Sequence, residues 1–345
     1  GHDVDGAELG ELALVEALKF RLEFFLIEEI KNNKTHHNNM ANDNKTLLLA
    51  KEEQNGEFFI LSNGVKIEMD NYTKFLKGKK VYIPNTKLTT EFAQCDAFAR
   101  YFFKSSTLAK FDIKELSYSF YDDGNFVLIT ISNGKITKEV IDASDDDTRL
   151  FHVFKQIDKV DVVIGNPEGS KIVDMLRYII LSNKDFILCA TNLAIGSKVG
   201  YMAYKMNKLK FGFTIPTKFF SVTENKNKTF GNKVWITSFD NGIQPKFIET
   251  YYNTQSYPYK MLDNYDALNV ECIKMIPMDY KGVMCVPVTV ANMISREQFD
   301  IIGCLSSSGY DKNVTGIEKK STFADARAVV DGKVLYARLL IRFRG

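Results

Sequence analysis

The stretch Val160-Asp161-Val162-Val163-Ile164-Gly165-Asn166-Pro167-Glu168-Gly169 constrains this chain more than any other. Its run of β-branched apolar residues suits a strand buried on both faces, the form strands take inside a parallel sheet. Pro167 ends the run, because proline has no N–H to give to a ladder and restricts the residue before it. Asn166 is thereby predicted at the carboxyl end of a central strand, where open α/β sheets bind their ligands. Its side-chain amide can accept and donate in one plane, which suits an amino group on a flat ring such as the exocyclic amine of adenine. The plainer alternative is a strand-ending turn, since Asn and Pro are ordinary turn residues.

A chain of 345 residues, 45% hydrophobic and 26% charged, can bury a real core and is not disordered. The net charge of +2 excludes a general polycation, so any nucleic-acid footprint has to be a local patch. No apolar run reaches the roughly 20 residues needed to cross a bilayer. The opening Gly1-His2-Asp3 reads as a cloning remnant without a signal peptide, and a cytoplasmic protein is expected. Cys95, Cys189, Cys272, Cys285 and Cys304 are odd in number and lack a CxxC pair, which argues for reduced thiols and against zinc. With 4 histidines, the chain has little material for a histidine metal centre or a Ser-His-Asp triad, and no metal site is expected.

Residues 9–31 carry apolar side chains at helical spacing, and residues 32–46 form a polar link. Short strands are expected at Thr46–Leu49, Glu57–Leu61 and Val65–Glu68, with Asn63-Gly64 as a hairpin turn. Lys80-Val81-Tyr82-Ile83-Pro84-Asn85 reads as strand into loop, and Thr90–Phe103 as a helix. Strands follow at Ile113–Tyr121, Phe126–Ser132 and Lys135–Ile141, with Asn133-Gly134 as a second hairpin turn. Thr148–Gln156, Ser170–Leu181 and Lys198–Met206 read as helices, and Asp185–Ala190, Leu209–Phe213 and Lys233–Ser238 as strands. Later strands at Val283–Val290 and Lys333–Arg344 frame a loop from Ser306 to Asp325. The alternation predicts an α/β sheet with inserted β-hairpins and an N-terminal helical extension. Residues 1–45 are expected as the extension, 46–240 as the main α/β domain that holds Asn166, and 241–345 as a C-terminal part that completes the sheet or recognises a target.

Lys218, Lys226, Lys228 and Lys233 surround a polar loop at residues 222–232 beside Phe219-Phe220. Such a loop can lie on DNA phosphates, or simply be a solvated face. Arg338, Arg342 and Arg344 alternate on the last strand and share one side.

Asn166-Pro167 resembles the Asn/Asp-Pro-Pro-Phe/Tyr motif of adenine-specific DNA methyltransferases, and the wider match is to their EcoRI-type family, from about Lys77 to the C-terminus. Three of the matching stretches are Gly231–Thr237, Asp263–Val270 and Ile276–Pro287, and the last is Asp331–Arg342. The resemblance implies a Rossmann-like methyltransferase sheet, S-adenosylmethionine as cofactor and double-stranded DNA as partner. It implies Asn166 and Pro167 as the catalytic pair, holding a flipped adenine for methylation at N6. It points to Pro84 and Asn85, the acidic turn at Asp145 and Asp146, and Asp161 as cofactor-binding candidates. The second proline and the aromatic of the motif are absent, with Glu168 and Gly169 in their places. Two readings follow: a methyltransferase fold that has lost its chemistry and serves as a DNA-binding or regulatory subunit, or an active enzyme with further residues between Pro167 and Glu168. An RNA or protein methyltransferase is a third.

Overall fold

The computed structural model describes residues 58–85, 96–167, 171–221, 224, 226–307 and 309–345. The expected helix at 9–31, the link at 32–46, the strand at 46–49, residues 90–95 of the expected helix, Cys95 and Glu168-Gly169 lie outside these. Contacts between Cα atoms divide the chain into two units, one running to Cys189 with Gly212–Phe239, the other Ala190–Phe211 with Asp240–Gly345.

In chain order the elements are β1 (Phe58–Ile60), α1 (Ser62–Met69), α2 (Thr73–Leu76), β2 (Lys80–Pro84), α3 (Ala97–Phe102) and α4 (Ser105–Phe111). Three strands follow, β3 (Glu115–Asp122), β4 (Asn125–Ser132) and β5 (Lys135–Asp142), then α5 (Asp146–Asp158), β6 (Val162–Gly165), α6 (Ile172–Leu181) and β7 (Asp185–Thr191). Next come α7 (Leu193–Gly196), α8 (Lys198–Lys205), β8 (Lys210–Phe211), β9 (Lys218–Ser221), β10 (Lys226–Thr229) and β11 (Lys233–Thr237). The main sheet has the order β5-β4-β3-β2-β6-β7-β11-β8. β2 runs parallel to β3 and β6, and β6 parallel to β7, while β3, β4 and β5 form antiparallel hairpins. This is the mixed α/β sheet expected, with hairpins inserted at one side.

Local chemistry explains the elements. Every residue of β6 is buried, as a strand covered on both faces requires. α6 buries Ile172, Met175, Leu176 and Ile179, the spacing of one helical face. The turns Asp123-Gly124 and Asn133-Gly134 have positive φ at both residues, the geometry that matches the twist of a two-residue hairpin.

The expected hairpin at Asn63-Gly64, with its strand at Val65–Glu68, is instead α1. The competing signal was Val65, Glu68, Met69, Tyr72 and Leu76, all fully buried at helical spacing through the turn that follows. Glu68 then becomes a buried junction. Its carboxylate accepts from Tyr72 Oη at 2.9 Å, from the N–H groups of Phe213 and Thr214 at 2.8 Å each, and from Thr214 Oγ1 at 2.7 Å. Four donors meet a carboxylate that would otherwise be costly to bury. Gly212 passes so close that a Cβ there would lie 2.1 Å from Glu68 Oε1 and 2.5 Å from Trp235 Cβ. The expected loop at 222–232 contains β10, which pairs with β9 in a separate sheet of order β1-β9-β10.

The second unit holds β12 (Lys260–Met261), β13 (Leu268–Asn269), β14 (Met284–Pro287), β15 (Phe299–Leu305), α9 (Lys312–Thr315), β16 (Val329–Val330), β17 (Lys333–Val334) and β18 (Arg338–Phe343). Five of these strands form a sheet of order β12-β13-β14-β18-β15, and β16 pairs with β17. The expected strand at Val283–Val290 stops at Pro287 and continues as a 3-10 turn, and the run at Lys333–Arg344 divides into β17 and β18. β15 escapes the pattern because a register shift between Ile301 and Gly303 breaks its alternation. Gly303 is required there, since a Cβ would meet the Thr315 carbonyl oxygen at 1.8 Å. Arg342 and Arg344 both pair with Asp300 on β15, at 3.9 and 2.9 Å, so one carboxylate offsets part of that basic face.

Candidate active site

β2 and β6 pair in parallel with Val81 opposite Val162 and Tyr82 opposite Val163. Carried along the strands, that register sets Pro84 opposite Gly165 and Asn85 opposite Asn166. A Cβ on Gly165 would lie 3.6 Å from the Pro84 carbonyl oxygen, so the two strand ends are in close contact. Asn85 is buried; its backbone N–H donates to the Ser119 carbonyl at 2.9 Å and its Nδ2 to Tyr118 Oη at 3.1 Å. Asn166 is half-buried and Pro167 buried. A small cleft of about 10 Å³ lies at this edge, lined by Ile60, Pro84, Asn85, Asp96, Ala97, Phe98 and Asn166. The structure thus brings the two Asn-containing strand ends, more than 80 residues apart in sequence, into one place.

Asp96 joins them without having been anticipated. It is buried and caps α3, accepting from the N–H groups of Phe98 at 2.9 Å and Ala99 at 3.3 Å. The available sequence signal was an N-cap residue before a helical run, which marks a helix start and says nothing of a cleft.

The other cofactor candidates lie elsewhere. Asp145 caps α5, taking the Thr148 N–H and the Thr148 hydroxyl at 2.7 Å each. Those two bonds, the backbone one foremost, hold its carboxyl below the usual range. Asp146 pairs with Arg149 at 3.3 Å and with Lys171, four residues past Pro167, at 3.5 Å. Neither acid lines the cleft. Asp161 is at the opposite edge: it precedes β6 and accepts the Lys80 N–H at 2.8 Å, at the amino ends of both strands. Five residues of extended chain separate it from Asn166, roughly 16 Å at strand rise.

Of the four lysines, Lys218 and Lys226 are exposed on the β9–β10 hairpin. Lys226 pairs with Glu224 at 2.6 Å, and Lys228 pairs with the same carboxylate while keeping a side-chain exposure of 13%. Lys233 is buried between aromatic rings, with Nζ 5.9 Å from the Phe219 centroid and 6.0 Å from that of Phe230. The apparent patch therefore points two ways, with half of it turned into the fold.

A planar amide followed by proline, at the carboxyl end of a central strand in a mixed α/β sheet, is the arrangement that the resemblance to methyltransferases of ring amines calls for. The family model of the EcoRI-type adenine-specific methyltransferases matches residues 130–344, more than half of the chain and inclusive of Asn166-Pro167. The chain belongs to that family and is an adenine-specific methyltransferase. It is 29% identical over 319 residues to the type II methyltransferase M.MgeORF184P of Mycoplasma genitalium, covering 85% of this chain and 97% of the relative. It is 27% identical over 318 residues to M.MpnI of Mycoplasma pneumoniae, covering 86% and 97%. To M.EcoRI of Escherichia coli it is 27% identical over 345 aligned positions, covering 87% and 96%. No solved structure matches it. No helix among the described residues is long and apolar enough to cross a membrane.

Proposed function

We propose that the protein transfers the methyl group of S-adenosylmethionine to N6 of adenine at a specific site in double-stranded DNA. The target base would turn out of its stack to reach the ends of β2 and β6. The observation that carries this reading is the register that sets Asn85 opposite Asn166 at the mouth of one cleft.

The residues present fit the methyl donor. S-adenosylmethionine carries an ammonium and hydroxyl groups, and the acceptor-bearing groups nearest to meet them at these strand ends are the Asp96 carboxylate, the Asn85 amide and the Pro84 carbonyl. When bound, it supplies an electrophilic methyl group, so the protein need provide no nucleophile of its own. Asn166 accepts one N–H of the adenine amine through its side-chain oxygen, and the Pro167 carbonyl accepts the other. These two bonds fix the amine and draw its lone pair out of the ring plane, and the same acceptors face the proton that N6 releases. Lys218 and Lys226 lie on the phosphates. Residues 46–240 carry the transfer chemistry and residues 241–345 read the target sequence. The work belongs in the cytoplasm, with the DNA.

Asn166→Ala is expected to abolish tritium transfer from labelled S-adenosylmethionine to duplex DNA, and undiminished transfer would sink the reading. Glu168-Gly169, in place of a proline and an aromatic, motivates a second reading, a methyltransferase fold that binds DNA without transfer. Calorimetric titration with S-adenosylmethionine separates the two, because the second predicts no binding.

A further inference from the structure

The second unit contains a cleft of about 300 Å³ that the transfer chemistry does not use. One wall is aromatic: the Tyr257 and Tyr259 rings are 4.8 Å apart, and Tyr252, outside the lining, stands edge-on to Tyr257 at 5.7 Å. Val270, Met275, Val330 and Leu335 add apolar surface. The remaining lining is polar, with Lys260, Asn269, Glu271, Asp331 and Lys333.

The walls are held in place. Tyr259 donates its hydroxyl to the Met275 carbonyl, and Lys260 pairs with Asp331 across the opening. The Asp331-Gly332 turn is pinned by Asp263, which takes both of its N–H groups, at 3.3 and 2.8 Å. Asn269 is 7% exposed and its side-chain oxygen is buried without a hydrogen-bond partner, while its Nδ2 faces Glu271 Oε1 at 3.4 Å. A buried polar atom left without a partner is unusual and asks for an explanation. Tyr257 remains 37% exposed, which leaves its ring open to a partner.

We infer that this cleft holds one nucleotide of the DNA, with an amino-bearing base stacked on Tyr257 and its phosphate towards Lys333. Stacking on an aromatic ring beside basic residues is how proteins hold unpaired bases, so this base too would leave the duplex stack. The Glu271 carboxylate at the lining accepts from an exocyclic amine, which adenine, cytosine and guanine carry, whereas thymine has none and offers only its ring N3–H. At about 300 Å³ the space is at the small end of ligand sites and suits one flat ring with its sugar. The site rests on DNA being the substrate, and it extends that reading from the methylated base to a second, recognised one.

The test uses the full chain with deoxynucleoside monophosphates and with a duplex oligonucleotide carrying the methylation site. Quenching of intrinsic fluorescence is expected with dAMP, dCMP and dGMP, and least with dTMP. Tyr257→Ala should weaken both nucleotide and duplex binding about tenfold, the loss of one stacked base. Tyr257→Phe keeps the ring and should bind like the wild type, with equal melting temperatures checking the fold. Glu271→Gln should narrow the preference over dTMP. Calorimetric affinity for S-adenosylmethionine should stay unchanged in all three. If DNA is methylated but Tyr257→Ala binds nucleotides and duplex as the wild type does, the cleft assignment fails and the enzymatic reading stands. If nucleotides bind through Tyr257 and DNA is not methylated, the enzymatic reading fails and the cleft remains a nucleotide site.

Discussion

Asp70 shows how a single carboxylate can be tied at its place in the chain. It pairs with Lys66 at 2.6 Å and Lys110 at 2.8 Å and accepts the Tyr101 hydroxyl. Burial alone would raise its pKa, but bonds from Lys110, Lys66 and Tyr101 outweigh that and hold it at about 2. The folded value lies below the unfolded one near 3.8, so the contribution to stability is complete above pH 4 or so and is lost as pH falls towards about 2. Melting curves of the wild type and Asp70→Asn should differ at neutral pH and converge in that acid window. The lysines make a second case. Lys218→Ala should weaken DNA binding evenly across sequences and lower its salt dependence by about one ion. Lys233→Ala should leave that salt slope alone and destabilise the fold by about 1 kcal/mol, through its lost aromatic contacts. A sequence shows that lysines cluster; it does not show which way each one points, because neighbouring strand residues face opposite sides.

At the scale of elements, α5 carries the sharpest test. Asp145 was a candidate for the methyl donor and is observed as a helix cap. Replacing it with Ala removes two bonds to Thr148 and should lower the melting temperature by a few degrees. If capping is its whole role, calorimetric affinity for S-adenosylmethionine will not change; a large loss would return it to the cofactor site. Elements with a strong local signal were legible: the buried run of β6, the helical face of α6 and the Asn133-Gly134 turn each follow from a few adjacent residues. α1 was misread because Asn-Gly is a strong hairpin signal on its own, and only a face continuing through Tyr72 and Leu76 overrides it. β10 sits in a polar, lysine-rich stretch whose strand character comes from pairing with β9, not from its own residues.

Over the whole molecule, the cysteines give a measure of how tightly the chain is packed. Cys189, Cys285 and Cys304 are buried and Cys272 is exposed, and none of the four is in a disulfide. Burial pushes the thiols of Cys285 and Cys304 up to about 12. In a Cys95→Ser background, an aromatic disulfide reagent should label Cys272 quickly and the other three only on unfolding.

By itself the sequence determined that a buried strand ends at Asn166-Pro167, that the sheet is of the α/β kind, and which family's segments recur along the chain. These properties are local: β-branched runs, proline's missing N–H and the order of short motifs need no folded partner to be read. The tertiary structure decided what stands beside Asn166. Parallel pairing of β2 with β6 brings Asn85 there across some 80 residues, and the α3 cap brings Asp96. It also sends Asp161 to the far edge of the same strand and turns Lys233 into the core. Which side chains share a cleft depends on strand order and register, and both are settled by how buried faces pack between distant segments.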